Sequence, residues 1–409
     1  MANNNKHTGP NVPALRFPEF SGEWERKALS EFVDRVTRRN KGLKSTRPLT
    51  ISAQFGLVDQ TEFFKKSVAG ADLSNYYLLS KGEFAYNKSY SDGYPLGAIK
   101  RLDRYDSGVL SSLYICFVPK PYMSSDYLVQ YFESTKWNQV VKDISGEGAR
   151  NHGLLNVPVT GFFETQHYIP KRDEQEKLGA FLTLIEKRIA TQSKIIEELK
   201  TLRGALNESL YCCCESYQEL SFNDVGVSYS GLSGKSGNDF GSGYPFIPYT
   251  NIFTNNIIDE GQLEYVQVRE DESQNSVCFG DLLMTLSSET PEEVGIGAVY
   301  LGHESPMYLN SFAFGIHITR TDLVYPPYLS WLVSTKSFRK FILPYAQGST
   351  RYNLQKTDFM KAKYRFPTLG QQKAISVLLS GYSSKIENEE RVLNKYTALK
   401  QGLIEQLFI

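Results

Sequence analysis

The sequence predicts an α+β protein made by tandem duplication: two mixed α/β globular units alternate with two long helices, which form an antiparallel coiled coil about a pseudo-two-fold axis. Three observations predict this. First, the stretch Pro170–Tyr211 returns as Pro367–Phe408, with Gln175 matching Gln372, Leu182 matching Leu379, Ile189 matching Ile386 and Leu206 matching Leu403. Second, apolar residues in each copy recur at alternating steps of four and three, the period of a coiled-coil seam. Third, shorter matched stretches precede each copy at nearly constant spacing, so the duplication covers the globular parts as well.

In chain order, residues 1–14 form a polar N-terminus, expected to be flexible and without the apolar core of a signal peptide. The first unit spans 15–171. Its Lys81-Gly82-Glu83 turn leads into the apolar Phe84-Ala85-Tyr86, which reads as a buried strand. Leu110-Ser111-Ser112-Leu113 opens another apolar run, a helix is expected near Tyr127–Val141, and Gly148-Ala149-Arg150 precedes the long helix of 172–214. The second unit, 215–367, repeats these signals as Phe279-Gly280-Asp281 before Leu282-Leu283-Met284, then Leu309-Asn310-Ser311-Phe312, a helix near Tyr328–Phe341, and Gly348-Ser349-Thr350-Arg351. Its opening segment, Tyr217–Lys235, matches the first unit poorly. The second long helix spans 368–409.

Each long helix opens with Pro and a capping pattern, Asp173-x-x-Glu176 in one and Thr368-x-x-Gln371 in the other. The seams read Leu178, Leu182, Ile185, Ile189, Ile196, Leu199, Leu206, Leu210 and Ile375, Leu379, Tyr382, Ile386, Leu393, Tyr396, Leu403, Leu407. A helix of roughly 40 residues is ~60 Å long and cannot bury such a stripe alone, so the copies are expected to pack on each other. Heptads do not set the sense of that pairing. Two equivalent units related by a two-fold axis make it antiparallel.

The composition, 41% hydrophobic and 22% charged without an apolar run of 18 residues, is that of a soluble cytoplasmic protein and gives no membrane span. Of the cysteines, Cys212, Cys213 and Cys214 are adjacent and no C-x-x-C occurs, which favours a reduced helix end over a metal site. The net charge of zero argues against nucleic acid at first sight, but the charges are segregated. Arg35, Arg38, Arg39, Lys41, Lys44 and Arg47 form one basic run, Lys336–Arg365 forms another opposed by Asp358 alone, and Asp259–Glu293 is acidic.

Catalytic signatures fail. Tyr325-Pro326-Pro327-Tyr328 has Tyr where an amino-methyltransferase needs an Asn or Asp oxygen, so the Pro pair reads as a helix start. Glu174-x-Glu176-Lys177 sits at a helix head where acids complement the dipole. The five His show no metal-ligand spacing, and no phosphate-binding loop is present. What remains suits recognition. Candidate DNA-binding residues are Arg38 and Arg39 in the basic run; Lys88, Ser89 and Tyr90 after the first strand; Arg150, Asn151 and His152; then Asn251, Ser287 and Ser288; and Gln347, Arg351, Tyr352 and Asn353. Arg and Asn can read base edges, while Lys and Ser suit phosphates.

Phe17-Pro18-Glu19-Phe20 with Trp24, the Tyr86-Asn87-Lys88-Ser89 turn, and the Pro170-x4-Gln175 and Pro367-x4-Gln372 helix openings resemble the specificity (S) subunits of type I restriction–modification systems, as does the whole duplicated layout. The resemblance implies two target-recognition domains, each reading half of a split double-stranded DNA target. It also implies a coiled coil docking two modification (M) subunits, with restriction (R) subunits joining the assembled complex. The helix residues assigned to partner binding are Leu178, Ile185, Leu206, Leu210, Ile375, Tyr382, Leu403 and Leu407. The chain itself would be non-catalytic and hold no cofactor, with S-adenosylmethionine, ATP and Mg on the partner subunits. The rival readings are an autonomous DNA-modifying enzyme and a coiled-coil adaptor without DNA contact.

Overall fold

The computed structural model describes residues 11–65, 69–70, 72–91, 93–145 and 155–409. The chain divides into two compact units, one of residues 1–193 with 391–409 and one of residues 194–390. Each therefore takes part of each long helix.

The core of the first unit is a four-stranded antiparallel sheet in the order Val33–Val36, Ile115–Pro119, Phe84–Asn87, Ala98–Arg101. The second unit repeats that order with Gly226–Ser230, Ala313–Ile318, Leu282–Thr285, Gly297–Val299. In each, the Gly-acid turn leads into a central strand whose residues are nearly all buried, as its continuous apolar sequence requires. Each sheet is preceded by a short strand, Glu25–Ala28 or Tyr217–Ser221, and a one-turn helix, Leu29–Phe32 or Phe222–Val225. These short strands pair antiparallel with Gln166–Ile169 and Lys363–Pro367, which lead into the long helices. The Tyr217–Lys235 segment thus has the same fold as its counterpart despite poor sequence agreement. Its offset from the first unit is shorter than elsewhere in the repeat, and two-residue alternation leaves many residue choices open.

The expected helices near Tyr127–Val141 and Tyr328–Phe341 are each broken in two, into Ser125–Glu133 with Asn138–Ile144 and Pro326–Leu332 with Lys336–Ile342. The breaks fall on the matched Ser134-Thr135 and Ser334-Thr335 pairs. Their hydroxyls compete for backbone groups: Thr335 Oγ1 accepts from Phe338 N at 3.1 Å and starts the next helix. Pro326 and Pro327 do open a helix.

The long helices are Arg172–Cys212 and Leu369–Leu407, 41 and 39 residues. At the head of the second, Gln371 Oε1 accepts from Thr368 N at 3.1 Å and from its hydroxyl at 2.9 Å, which is the return half of the capping pattern, whereas Asp173 lies inside the first turn of the first helix, which begins earlier. Within the first unit, Glu186 pairs with Lys400 at 2.6 Å and Arg188 lies over the Tyr396 ring. Within the second, Lys200 pairs with Glu390 at 2.9 Å and Arg203 donates to Ser383 Oγ at 2.8 Å. In both, rising numbers on one helix meet falling numbers on the other, so the pairing is antiparallel. Every predicted seam residue is buried or half-buried. At ~1.5–3 kcal/mol per buried aliphatic side chain, this stripe is what holds the helices together.

One polar residue does the same work in each unit. Gln175 Oε1 accepts from Ser124 N and its Nε2 donates to Pro170 O, both at 2.9 Å. Gln372 Oε1 accepts from Tyr325 N at 2.8 Å, and its Nε2 donates to Pro367 O and Leu323 O. Each amide thus ties the head of a long helix to the start of a short helix. The Phe17–Phe20 motif is also structural: Phe17 meets Phe181 edge-on at 5.6 Å, and Arg16 forms a buried pair with Glu174 at 2.7 Å. Among the described residues, no helix is long and apolar enough to cross a membrane.

Candidate nucleic-acid interface

In the second unit the central strand Leu282–Thr285 runs on into a second small sheet. Ser287 and Ser288 pair antiparallel with Asn353 and Tyr352, and Gln347 pairs with Asn353 from the other side. Residues separated by more than sixty positions are thereby gathered on one ladder. Arg351 sits on the turn between the two later strands, over the Phe312 ring at 5.6 Å. Gly348 makes that turn possible: its φ is +151°, and a Cβ there would fall 2.1 Å from Arg351 O. Ser287, Ser288 and Arg351 line an open cup of about 830 Å³ with Thr350, Glu289, Glu293, Tyr249 and Phe253.

The cup is anchored from behind. Tyr249 stacks on Phe253 one helical turn away, at 5.9 Å, and donates its hydroxyl to Ser287 O at 2.9 Å. Burial raises the pKa of Tyr249, so the hydroxyl stays protonated and keeps that bond. Ser288 Oγ donates to Glu293 at 2.8 Å. The cup thus presents a guanidinium, hydroxyls, carboxylates and aromatic faces, the donors and acceptors that distinguish base edges, with Glu289 suited to accept from a cytosine amino group.

The first unit has a related cup at the end of the equivalent strand. Phe84–Asn87 ends in a turn where Asn87 Oδ1 accepts from Ser89 N at 3.1 Å and Lys88 O accepts from Leu155 N at 2.9 Å. Ser89 and Tyr90 line a hollow of about 360 Å³ with Ser52, Gln54, Phe55, Phe63 and Asn87. Tyr90 is 63% exposed and Phe55, at the tip of the Leu49–Ser52/Gly56–Asp59 hairpin, 70%. Exposed rings beside polar turns are a stacking surface as well as an apolar one.

Several expectations are corrected. Asn251 is wholly buried: its Nδ2 donates to Asp259 O and Gln262 O, and its Oδ1 accepts from Asp259 N. It fastens its own helix to the following loop and cannot meet a base. Arg38 spends its guanidinium on Glu83 and Ser80, and Arg39 donates to Asn75 O while covering Tyr77. Both side chains nonetheless stay exposed, as do Arg35, Lys41, Lys44 and Arg47, so the run remains a basic surface. In the Lys336–Arg365 run, by contrast, Arg339 is used internally, donating to Glu292, Val294 and Gly295 carbonyls, with burial lowering its pKa. Arg150, Asn151 and His152 lie outside the described residues.

The helix residues assigned to partners also have other work. Leu178 and Leu407 lie in the first unit's core with Ile185 and Leu403 against it. Ile375 lies in the second unit's core with Leu206 and Leu210 against it, and Tyr382 is half-buried. A seam that closes on itself leaves little for a partner. Apolar side chains exposed on the helices are instead Leu184 and Leu399 in the first unit, and Ile195, Leu202, Val377 and Leu378 in the second.

Tyr249, Phe253, Thr350, Glu289 and Glu293, and in the first unit Phe55 and Phe63, escape sequence reasoning. The Tyr249/Phe253 pair has helical spacing, which is a weak signal because any short amphipathic helix shares it.

No family model matches the chain, and no curated protein matches it. Solved structures do. The S subunit of a type I restriction-modification system from M. genitalium is similar over 97% of this chain and 99% of its own, at 12% identity and a TM-score of 0.51. A chain from a structural study of complex assembly and conformational transition in the type I R-M system is similar over 94% of this chain and 97% of its own, at 13% identity and a TM-score of 0.59. At such identities the likeness is one of fold, over nearly the full length of both chains.

Proposed function

We propose that this chain is the DNA sequence-specificity subunit of a type I restriction–modification complex, with target-recognition domains at 15–171 and 215–367. Each domain reads one half of a bipartite site in double-stranded DNA through the cup at the end of its central strand. Lys88, Ser89 and Tyr90 serve in the first domain; Ser287, Ser288, Gln347, Arg351, Tyr352 and Asn353 serve in the second. The observation that carries the reading is the repeated sheet order, in which the same central strand delivers an open, polar and aromatic cup twice. Two equivalent readers in one chain suit a target with two half-sites.

The chain is non-catalytic in this reading and acts in the cytoplasm. Two modification subunits dock on the outer helix surfaces that carry Leu184, Leu399, Leu202 and Val377, and bring S-adenosylmethionine; restriction subunits with ATP and Mg join through them. Neutral net charge is tolerable if those partners supply much of the phosphate grip.

Methylome sequencing of cells carrying the complex, with wild-type chain, Arg351→Ala or Tyr90→Ala, tests this. Arg351→Ala is expected to weaken or relax one half-site by ~1–3 kcal/mol, leaving the other half-site preference intact, and Tyr90→Ala to do the converse. Methylation by the purified chain alone, or both variants altering the same bases, would refute it.

A further inference from the structure

We propose that Cys278, Asp281 and His317 form a binding site for one zinc-class divalent cation in the second unit. A ligand atom from each, thiol sulfur, carboxylate oxygen and imidazole nitrogen, lies within 4.8 Å of the other two. Zinc bonds of about 2.0–2.3 Å in a tetrahedron place ligand atoms roughly 3.3–3.8 Å apart, so small rotamer adjustments bring the three into position. Sequence spacing hides the set, because the turn at Cys278–Asp281 and the strand Ala313–Ile318 meet only across the sheet.

A comparison of the two units supplies an independent reason for a cation here. In the first, the Gly-acid turn places Glu83 so that it accepts from Ser80 N at 2.8 Å and pairs with the fixed charge of Arg38. In the second, Asp281 accepts from Cys278 N at 2.9 Å in the same way, yet no lysine or arginine among the described residues pairs with it. Its other partners are the Tyr229 hydroxyl at 2.6 Å and His317 Nδ1 at 2.8 Å. Asp281 is fully buried, and positive charge stabilises a carboxylate out of water; among the described residues no fixed cation supplies it, only the imidazole of His317. Where the first unit has a guanidinium, the second has an exposed thiol and a half-exposed imidazole, both zinc ligands, facing solvent from which an ion can enter. Water would complete the coordination. Such an ion would clamp the turn to the neighbouring strand at the base of Leu282–Thr285, whose continuation carries Ser287 and Ser288.

The test is cobalt(II) titration of the reduced full-length chain, with zinc competition. The expected result is a thiolate-to-cobalt absorption band that saturates at one equivalent, is displaced by zinc, and is lost in Cys278→Ser and His317→Ala. Both side chains are solvent-facing, and circular dichroism checks that the variants fold. Zinc should also protect one thiol from alkylation in the wild type and none in Cys278→Ser. No band, or a band that survives Cys278→Ser and so belongs to Cys212–Cys214, overturns the proposal. Unchanged binding in His317→Ala overturns it as well.

Discussion

Removing the Gln372 side chain beyond Cβ measures what holds the second long helix to its unit. The amide is fully buried and makes three hydrogen bonds: acceptor to Tyr325 N at 2.8 Å, donor to Leu323 O at 3.0 Å and to Pro367 O at 2.8 Å. Gln372→Ala leaves one N–H and two carbonyls without partners and opens a small void. A stranded buried group costs ~1–3 kcal/mol, but the Tyr325 and Leu323 groups are only part-buried and water can reach them, so a total of about 3 kcal/mol is expected. That is a large share of the 5–15 kcal/mol typical of a domain. Urea unfolding of the full chain, followed by circular dichroism, should show an earlier transition for the second unit with its slope unchanged. Gln372→Glu keeps an acceptor for Tyr325 N and loses the donors to both carbonyls, so it should not rescue. Gln175→Ala should act alike on the first unit but less strongly, since it releases one carbonyl fewer. A loss below about 0.5 kcal/mol for Gln372→Ala, the range of ordinary surface changes, would refute the reasoning.

His167 makes the first unit sensitive to acid. Thr165 Oγ1 donates to Phe162 O at 2.7 Å and so accepts from His167 Nε2, leaving Nδ1 to accept from the Tyr131 hydroxyl at 2.8 Å. Burial lowers its pKa from 6.5 to about 4. The unfolded chain therefore takes up a proton that the folded chain refuses. Stability is fully present above pH ~6.5 and is lost as pH falls towards 4, by up to about 3 kcal/mol, and His167→Gln should flatten that slope in urea melts. Gly315→Ala should cost ~1–3 kcal/mol in the second unit, because its Cβ would fall 2.0 Å from the Tyr229 ring, which Asp281 holds in place; an unchanged melting temperature would contradict this.

The sequence by itself determined the duplication, the two long helices and the central strands. These features rest on periodicity and on turns whose chemistry is local: a step of four and three can only be one face of a helix, and a Gly-acid turn before an apolar run recurs as the same strand start. It also singled out Ser287, Ser288, Arg351, Tyr352 and Asn353, though as separate loops. Tertiary structure alone decided that they share a ladder, that Asn251 and Arg339 are used internally, and that the Leu178 and Ile375 seam is closed. An amide, a guanidinium or a leucine has the same chemistry whether it turns inward or outward. Which way it turns depends on partners outside its own element, such as Asp259 for Asn251, Gly295 for Arg339 and Leu407 for Leu178, and a one-dimensional pattern does not carry those pairings.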